Sequence, residues 1–132
     1  MKSSLAQISD DKKVAVIQVG YQLLVSAKQR PLDETDDKSI DLLLEYCGFD
    51  QSPIGRFLGN TFWEKSVMVN PYECFDQVAS FDRATKAAVK EMLFALAQID
   101  NQYMRQDIAM QLVQRLGLQW VCFSFYQINR EI

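Results

Sequence analysis

The same punctuation recurs along this chain: a side chain able to cap a helix, twice followed by proline, then apolar residues three and four apart. Ser9 precedes Asp10 and Asp11, Ser52 precedes Pro53, Asn70 precedes Pro71, and Asp82 opens the run "FDRATKAAVKEMLFALAQI". A capping oxygen satisfies amide groups that a helix start leaves bare, and Glu73 stands where it completes a capping box with Asn70. Proline at the first helical position gives up no hydrogen bond. Gly48 and Gly117 close two of the runs, where a left-handed residue commonly ends a helix. A chain divided in this way is expected to be all-α, a single-domain bundle of about six to seven helices.

The spacing inside each run says how it packs. Val14, Ile17, Tyr21 and Leu24 form one stripe and Val16, Val19 and Leu23 another, so only Gln18, Gln22 and Ser26 keep a polar line. That pattern predicts a helix buried on most sides. A second helix ends at Cys47 with the stripe Ile40, Leu43, Leu44 and Cys47. The helix from Asp82 carries Ala84, Ala88, Met92, Ala95 and Ile99, and the last clear one carries Ile108, Ala109, Leu112, Val113 and Leu116. The segment "WVCFSFYQI", 120–128, suits a strand by composition, but only "SVMV" at 66–69 offers a ladder partner. It is read as a short buried helix, with a strand as the alternative. One domain over 1–132 is expected, with 1–9 a flexible N-terminus and 119–132 an apolar C-terminal segment.

Composition narrows the chemistry. The chain has 132 residues and no histidine, which closes the imidazole-based triads, proton shuttles and zinc sites. A net charge of −3, with 14 Lys and Arg scattered among 17 acids, supplies no basic stripe for phosphates, so nucleic acid is not an expected partner. Cys47, Cys74 and Cys122 are far apart and form no CxxC pair, as in a protein with reduced thiols. No run reaches the roughly 20 apolar residues of a bilayer span, and "MKSSLAQISDDKK" has no continuous apolar core of a secretory signal. A cytoplasmic location is expected.

Two parts of the chain are alike. With a shift of 69 residues, Ile40, Leu43, Leu44, Cys47, Gly48 and Phe49 fall on Ala109, Leu112, Val113, Leu116, Gly117 and Leu118. Upstream, "QLLVSA" corresponds loosely to "MLFALA". Each half, about 10–49 and 82–118, then holds a long helix, a polar turn and a second helix ended by glycine. The expected architecture is a pseudo-twofold repeat of helical hairpins, each covering the other's apolar side.

The stretch "EMLFALAQIDNQYMRQDIAMQLVQRLGL" resembles the second half of TerB-like, tellurite-resistance-type domains. The likeness spans residues 14–119 and is clearest over 92–118. It implies an all-helical, pseudo-twofold fold whose acidic turns hold a divalent metal. Residue by residue, Asp100 takes the turn aspartate, Asn101 the glycine, Gln102 the following acid and Asp107 the helix carboxylate. The first half departs from the family pattern: Lys28 to Pro31 stand where its Asp-Gly turn would be, and the acids Asp33, Glu34, Asp36 and Asp37 come slightly later.

Asp100, Asn101 and Asp107, with Asp33 and Asp36 from the other turn, are therefore the candidate ligands for a divalent cation. A hard cation needs about six to eight oxygens, and neither turn has EF-hand spacing. The plainer reading of the same acids is capping, by Asp33 or Thr35 on the second helix and by Asp100 or Asn101 on the last. Cys74 lies in the first turn of the Asn70 helix, but Glu73 and Asp76 beside it oppose a thiolate. "NTFWEKSVMVNPY" gathers Phe62, Trp63, Met68 and Tyr72, side chains suited to a protein-binding patch, with core packing the plainer reading for any one of them. In "GRFLG", Gly55 and Gly59 allow another segment to approach closely. The expected function is a non-enzymatic protein-interaction scaffold in a stress-response or membrane-associated assembly, with a protein partner, a homodimer being compatible. Metal or small-ligand binding at the acidic turns is the alternative.

Overall fold

The computed structural model describes residues 4–28, 31–99 and 103–117. Over these residues the elements are six α-helices, with no strand: α1 (Asp10–Lys28), α2 (Asp37–Tyr46), α3 (Pro53–Ser66), α4 (Pro71–Ala79), α5 (Arg83–Gln98) and α6 (Tyr103–Arg115). Short 3-10 turns at Ser4–Gln7 and Glu34–Asp36 precede α1 and α2. The segment 66–69, considered above as a strand partner, is the end of α3 and the turn after it. The segment 120–128 lies outside the described residues. None of the described helices is long and apolar enough to cross a membrane.

The expected caps start the helices. The Ser52 hydroxyl accepts from the Gly55 amide at 3.0 Å, with Pro53 at the first position of α3. Asn70 accepts from the amides of Tyr72 and Glu73, and Asp82 from that of Thr85. Asp33 and Asp36 form a reciprocal capping box on the turn before α2. At the other ends Gly48 and Gly117 have φ of +95° and +68°. Those values lie in the left-handed region that a side chain disfavours.

Helix α1 is the axis of the bundle and packs against all five other helices. From Val14 to Gly20 every residue is buried, and Leu23, Leu24 and Ala27 continue the core below. The polar line read from the sequence runs from inside to outside: Gln18 is buried, Gln22 half-buried and Ser26 exposed. Gln18 is buried because it has acceptors. Its side-chain amide donates to the carbonyls of Ser66 at 2.6 Å and Val69 at 3.3 Å, and its oxygen accepts from Gln22 at 2.7 Å. Carbonyls at a helix C-terminus lack partners within the helix, and here α1 supplies one.

One helix differs from expectation. Helix α5 buries Val89, Met92, Leu93, Leu96 and Ala97, while Ala84 is exposed and Ala88, Ala95 and Ile99 are half-buried. The alanines share a spacing, but bulky side chains remove more apolar area from water, and they set the rotation of the helix. Within the segment read as a flexible N-terminus, the turn Ser4–Gln7 packs on α5 and buries Leu5 completely. Ala6 of that turn sits so close to Gly48 that a β-carbon there would lie 2.8 Å from the Ala6 Cβ.

Candidate interaction surface

Helix α3 has two apolar sides. The inner side is marked by its glycines. A β-carbon on Gly59 would lie 3.2 Å from Leu44 Cδ1 and 3.3 Å from Phe49 Cβ, and one on Gly55 would collide with the Asp50 backbone. Along the same side, Phe62 lies 4.8 Å from Phe49 in a tilted ring contact. Trp63 meets Tyr21 of α1 edge to face at 5.4 Å. Phe62 and Trp63 are half-buried and packed against the core. Lys13 of α1 lies over the other partner of this cluster, 5.1 Å from the Phe49 ring centre.

The outer side is apolar as well, and nothing in the chain's described core explains it. Ile54 is 74% exposed, Phe57 71% and Leu58 42%. Residues three and four apart on a helix are surface neighbours, so these three form one patch. Thr61 and Lys65 follow at the same spacing. Val67 at the C-cap keeps right-handed helical angles, so Met68, 84% exposed, extends that side by one more step. Tyr72, 66% exposed, stands four residues on in the first turn of α4. The Arg115 guanidinium of α6 lies 5.3 Å from the Tyr72 ring and 4.7 Å from that of Phe75.

Of the four residues expected in a binding patch, the structure thus exposes Met68 and Tyr72 and turns Phe62 and Trp63 inward. Ile54, Phe57 and Leu58, which the spacing did not single out, are exposed as well. The glycines held the clue, because Gly55 and Gly59 mark the side pressed against the 44–50 segment and leave Ile54, Phe57 and Leu58 on the other.

The structure brings Asp33 and Asp36 together within the first acidic turn. Asp33 accepts from the Thr35 amide at 2.9 Å and hydroxyl at 2.6 Å, and its own amide donates to Asp36 at 2.8 Å. Asp36 is fully buried and Asp107 half-buried. Asp100, Asn101 and Gln102 lie outside the described residues. Among the described residues no three acids or cysteines stand close enough to hold a metal ion.

The thiols are placed for packing. Burial pushes the Cys47 thiol up to about 12, against a smaller opposing pull from Lys13. Cys74 is also buried, and its thiol is raised by that burial and then by the Glu73 carboxylate. A helix start that would favour a thiolate is overridden by desolvation. A shallow open groove of about 480 Å³ runs between Tyr46 and α5, lined also by Lys90, Glu91, Phe94 and Gln98. Burial, and secondarily Glu91, raises the Tyr46 phenol above its ordinary range. Ala87 and Ala95 form part of the groove lining, which accounts for small residues on that flank of α5.

Compared with known proteins, the chain matches no family model, no curated protein and no solved structure.

Proposed function

We propose that this chain is a protein-interaction module that docks a partner on the outer side of α3 and the turn leading into α4. The observation that carries the reading is the cluster Ile54, Phe57 and Leu58, exposed together along one side of a helix whose opposite side already fills the core, with Met68 exposed in the turn that follows. Contiguous exposed apolar side chains of this size mark interaction sites, because leaving them in water is unfavourable. Lys65 lies between Leu58 and Met68 in sequence, and Arg115 over the Tyr72 ring. The partner that fits is an amphipathic segment with aromatic or branched side chains and an acidic flank.

The TerB-like, pseudo-twofold reading belongs to the same proposal, and the packing pattern supports it. Helices α1 and α2 pair as α5 and α6 do, and across the halves α1 packs on α6 while α2 packs on α5. The turn before α1 packs on α5, and α4, which precedes α5, packs on α1. Both second helices end on a positive-φ glycine, after Leu43, Leu44 and Cys47 in one and Leu112, Val113 and Leu116 in the other, all buried. An interaction scaffold needs only a rigid frame and a face, and two interlocked hairpins supply the frame.

The test is a quantitative pull-down from cell lysate with the intact chain and with an Ile54→Ser, Phe57→Ser double variant. Proteins retained by the first and lost by the second, at unchanged melting temperature, are the expected result. Identical partner lists would overturn the reading.

A further inference from the structure

One chain carries both a projecting and a receding apolar surface. On α3, Ile54, Phe57 and Leu58 stand exposed within one turn, and the exposed Glu64 and Lys65 follow two turns after Phe57 and Leu58. On α5, Ala87, Phe94 and Ala95 line a groove of about 480 Å³ that Tyr46 of α2 completes, and Lys90 and Glu91 stand in it one turn before Phe94 and Ala95. From Ala87 to Gln98 the groove follows about 17 Å of helix, whereas Ile54 and Leu58 are about 6 Å apart along theirs. The charges then choose an orientation. Successive residues lie about 100° apart around a helix, so Glu64 and Lys65 flank the apolar side of α3 in the rotational order in which Lys90 and Glu91 flank the groove, with the signs exchanged. Two helices laid face to face and antiparallel bring like flanks together. With Phe57 and Leu58 over Ala95 and Phe94, Glu64 comes within about 3 Å of Lys90 along the axis, and Lys65 within about 6 Å of Glu91. Laid parallel on the same apolar contacts, the two charged pairs end about 17 Å apart. An α3–α3 pair centred on Phe57 and Leu58 sets Glu64 against the uncharged Gln51, and Asp50 lies on the inner, Gly55 side.

We propose that the outer side of α3 docks antiparallel in the α5 groove of a second copy of this chain, so that copies join head to tail through two different faces. This rests on the reading of the α3 side as a docking surface and names its partner. Each copy offers both faces, so the contact is heterologous and repeats along a growing assembly. The few side chains involved place it among weak interfaces, which fill as concentration rises.

Sedimentation of the full chain, up to millimolar concentration, tests the contact. The average mass should rise with concentration, and Phe57→Ser on α3 or Ala95→Trp in the groove should each weaken association by at least about 10-fold. An equimolar mixture of these two variants keeps one intact pair of faces, so it should form dimers and stop there. A chain that stays monomeric, association that survives Ala95→Trp, or a mixture without dimers overturns the proposal. Charge reversal gives a second measure on side chains outside the core. Glu64→Lys should weaken association several-fold, and adding Lys90→Glu to the same chain should restore it; a double variant no better than the single one overturns the proposal. Should Ala95→Trp lower the melting temperature, the charge reversal decides alone. Lysate partners lost on Ile54→Ser, Phe57→Ser from a chain that stays monomeric leave the docking reading standing and remove this one. Groove-dependent self-association with identical lysate partner lists supports this contact and confines the α3 face to copies of the chain.

Discussion

The side-chain amide of Gln18, in the middle of α1, donates to the backbone carbonyl of Ser66 at the last residue of α3, at 2.6 Å. Both residues are buried. This bond fixes where α3 ends, and with it the turn that carries Met68 and Tyr72, because the same amide also reaches the Val69 carbonyl.

Replacing Gln18 with leucine keeps the side chain's bulk and removes both donors. The Ser66 carbonyl then keeps only the Val69 amide, at 3.3 Å, a loss of about 0.5–1.5 kcal/mol. Urea unfolding of Gln18→Leu should show that loss with an unchanged m-value. Amide exchange at 66–70 should quicken more than in the rest of the bundle. Equal stability would mean that the turn is held by other contacts.

Gly48 and Gly117 offer a matched pair. Both hold a left-handed backbone, so alanine at either is unfavourable by about 1–2 kcal/mol. Among the described residues, only at Gly48 does the new methyl also meet a neighbour, the Ala6 Cβ at 2.8 Å, whereas none of them lies within 4 Å at Gly117. Gly48→Ala should therefore lose roughly 1 kcal/mol more than Gly117→Ala, by displacing the N-terminal turn. Combining Gly48→Ala with Leu5→Ala should be less than additive, since both release the same turn. Equal losses at the two glycines would show that the turn does not press on Gly48.

How much of the fold was legible in the sequence depends on how local each device is. Ser52 with Pro53, Asn70 with Pro71, Asp82, and the terminal glycines act within a few residues, and each did what its neighbours implied. Helix α1 was legible as buried because only Gln18, Gln22 and Ser26 form a polar line between Val14 and Ala27. The role of Gln18 was not, since its acceptors come from a segment about fifty residues away in the chain. Helix α5 misled because alanine has the period of a core face without the area that decides burial. The outer face of α3 was hidden because "PIGRFLGNTFW" is apolar in two phases, and composition says nothing about which phase meets the core. The aromatic pair Phe62 and Trp63 suited a patch by composition, but its ring contacts with Phe49 and Tyr21 follow the plainer reading as core packing.

The two sides of α3 should separate in a mutational comparison. Phe57→Ser touches an exposed ring and should shift stability by no more than about 0.5 kcal/mol. Phe62→Ala removes a half-buried ring from its contact with Phe49 and should lose about 2–3 kcal/mol. Denaturant midpoints decide this directly. A large loss from Phe57→Ser would move that ring into the core and remove the basis for the docking face.

The buried thiols give a chemical reading of the fold. With Cys47 pushed up to about 12, its thiolate at pH 8 is scarcer than that of an ordinary cysteine by a factor on the order of 1000. Cys74 is raised in the same direction by burial and Glu73. Both should react with a disulfide reagent far more slowly than a free peptide thiol, until denaturant exposes them. Fast labelling of Cys74 in the folded chain would revive a nucleophilic role for it.

Acid should weaken the start of α5 in a defined window. The Thr85 backbone amide donates to the Asp82 carboxylate at 2.7 Å, and this bond, followed by that of the Thr85 hydroxyl and the smaller pull of Lys12, holds the carboxyl below its usual value. The unfolded chain then binds more protons than the folded one around and below pH ~4, so stability rises with pH through that window. The contribution is fully present above the unfolded pKa and is lost as pH falls through the folded one. Asp82→Asn keeps a capping oxygen but cannot titrate. The melting-temperature advantage of the natural chain over this variant should be constant near neutrality and shrink in acid. An advantage that stays level down to the acid limit would mean that charge at Asp82 plays no part in holding α5.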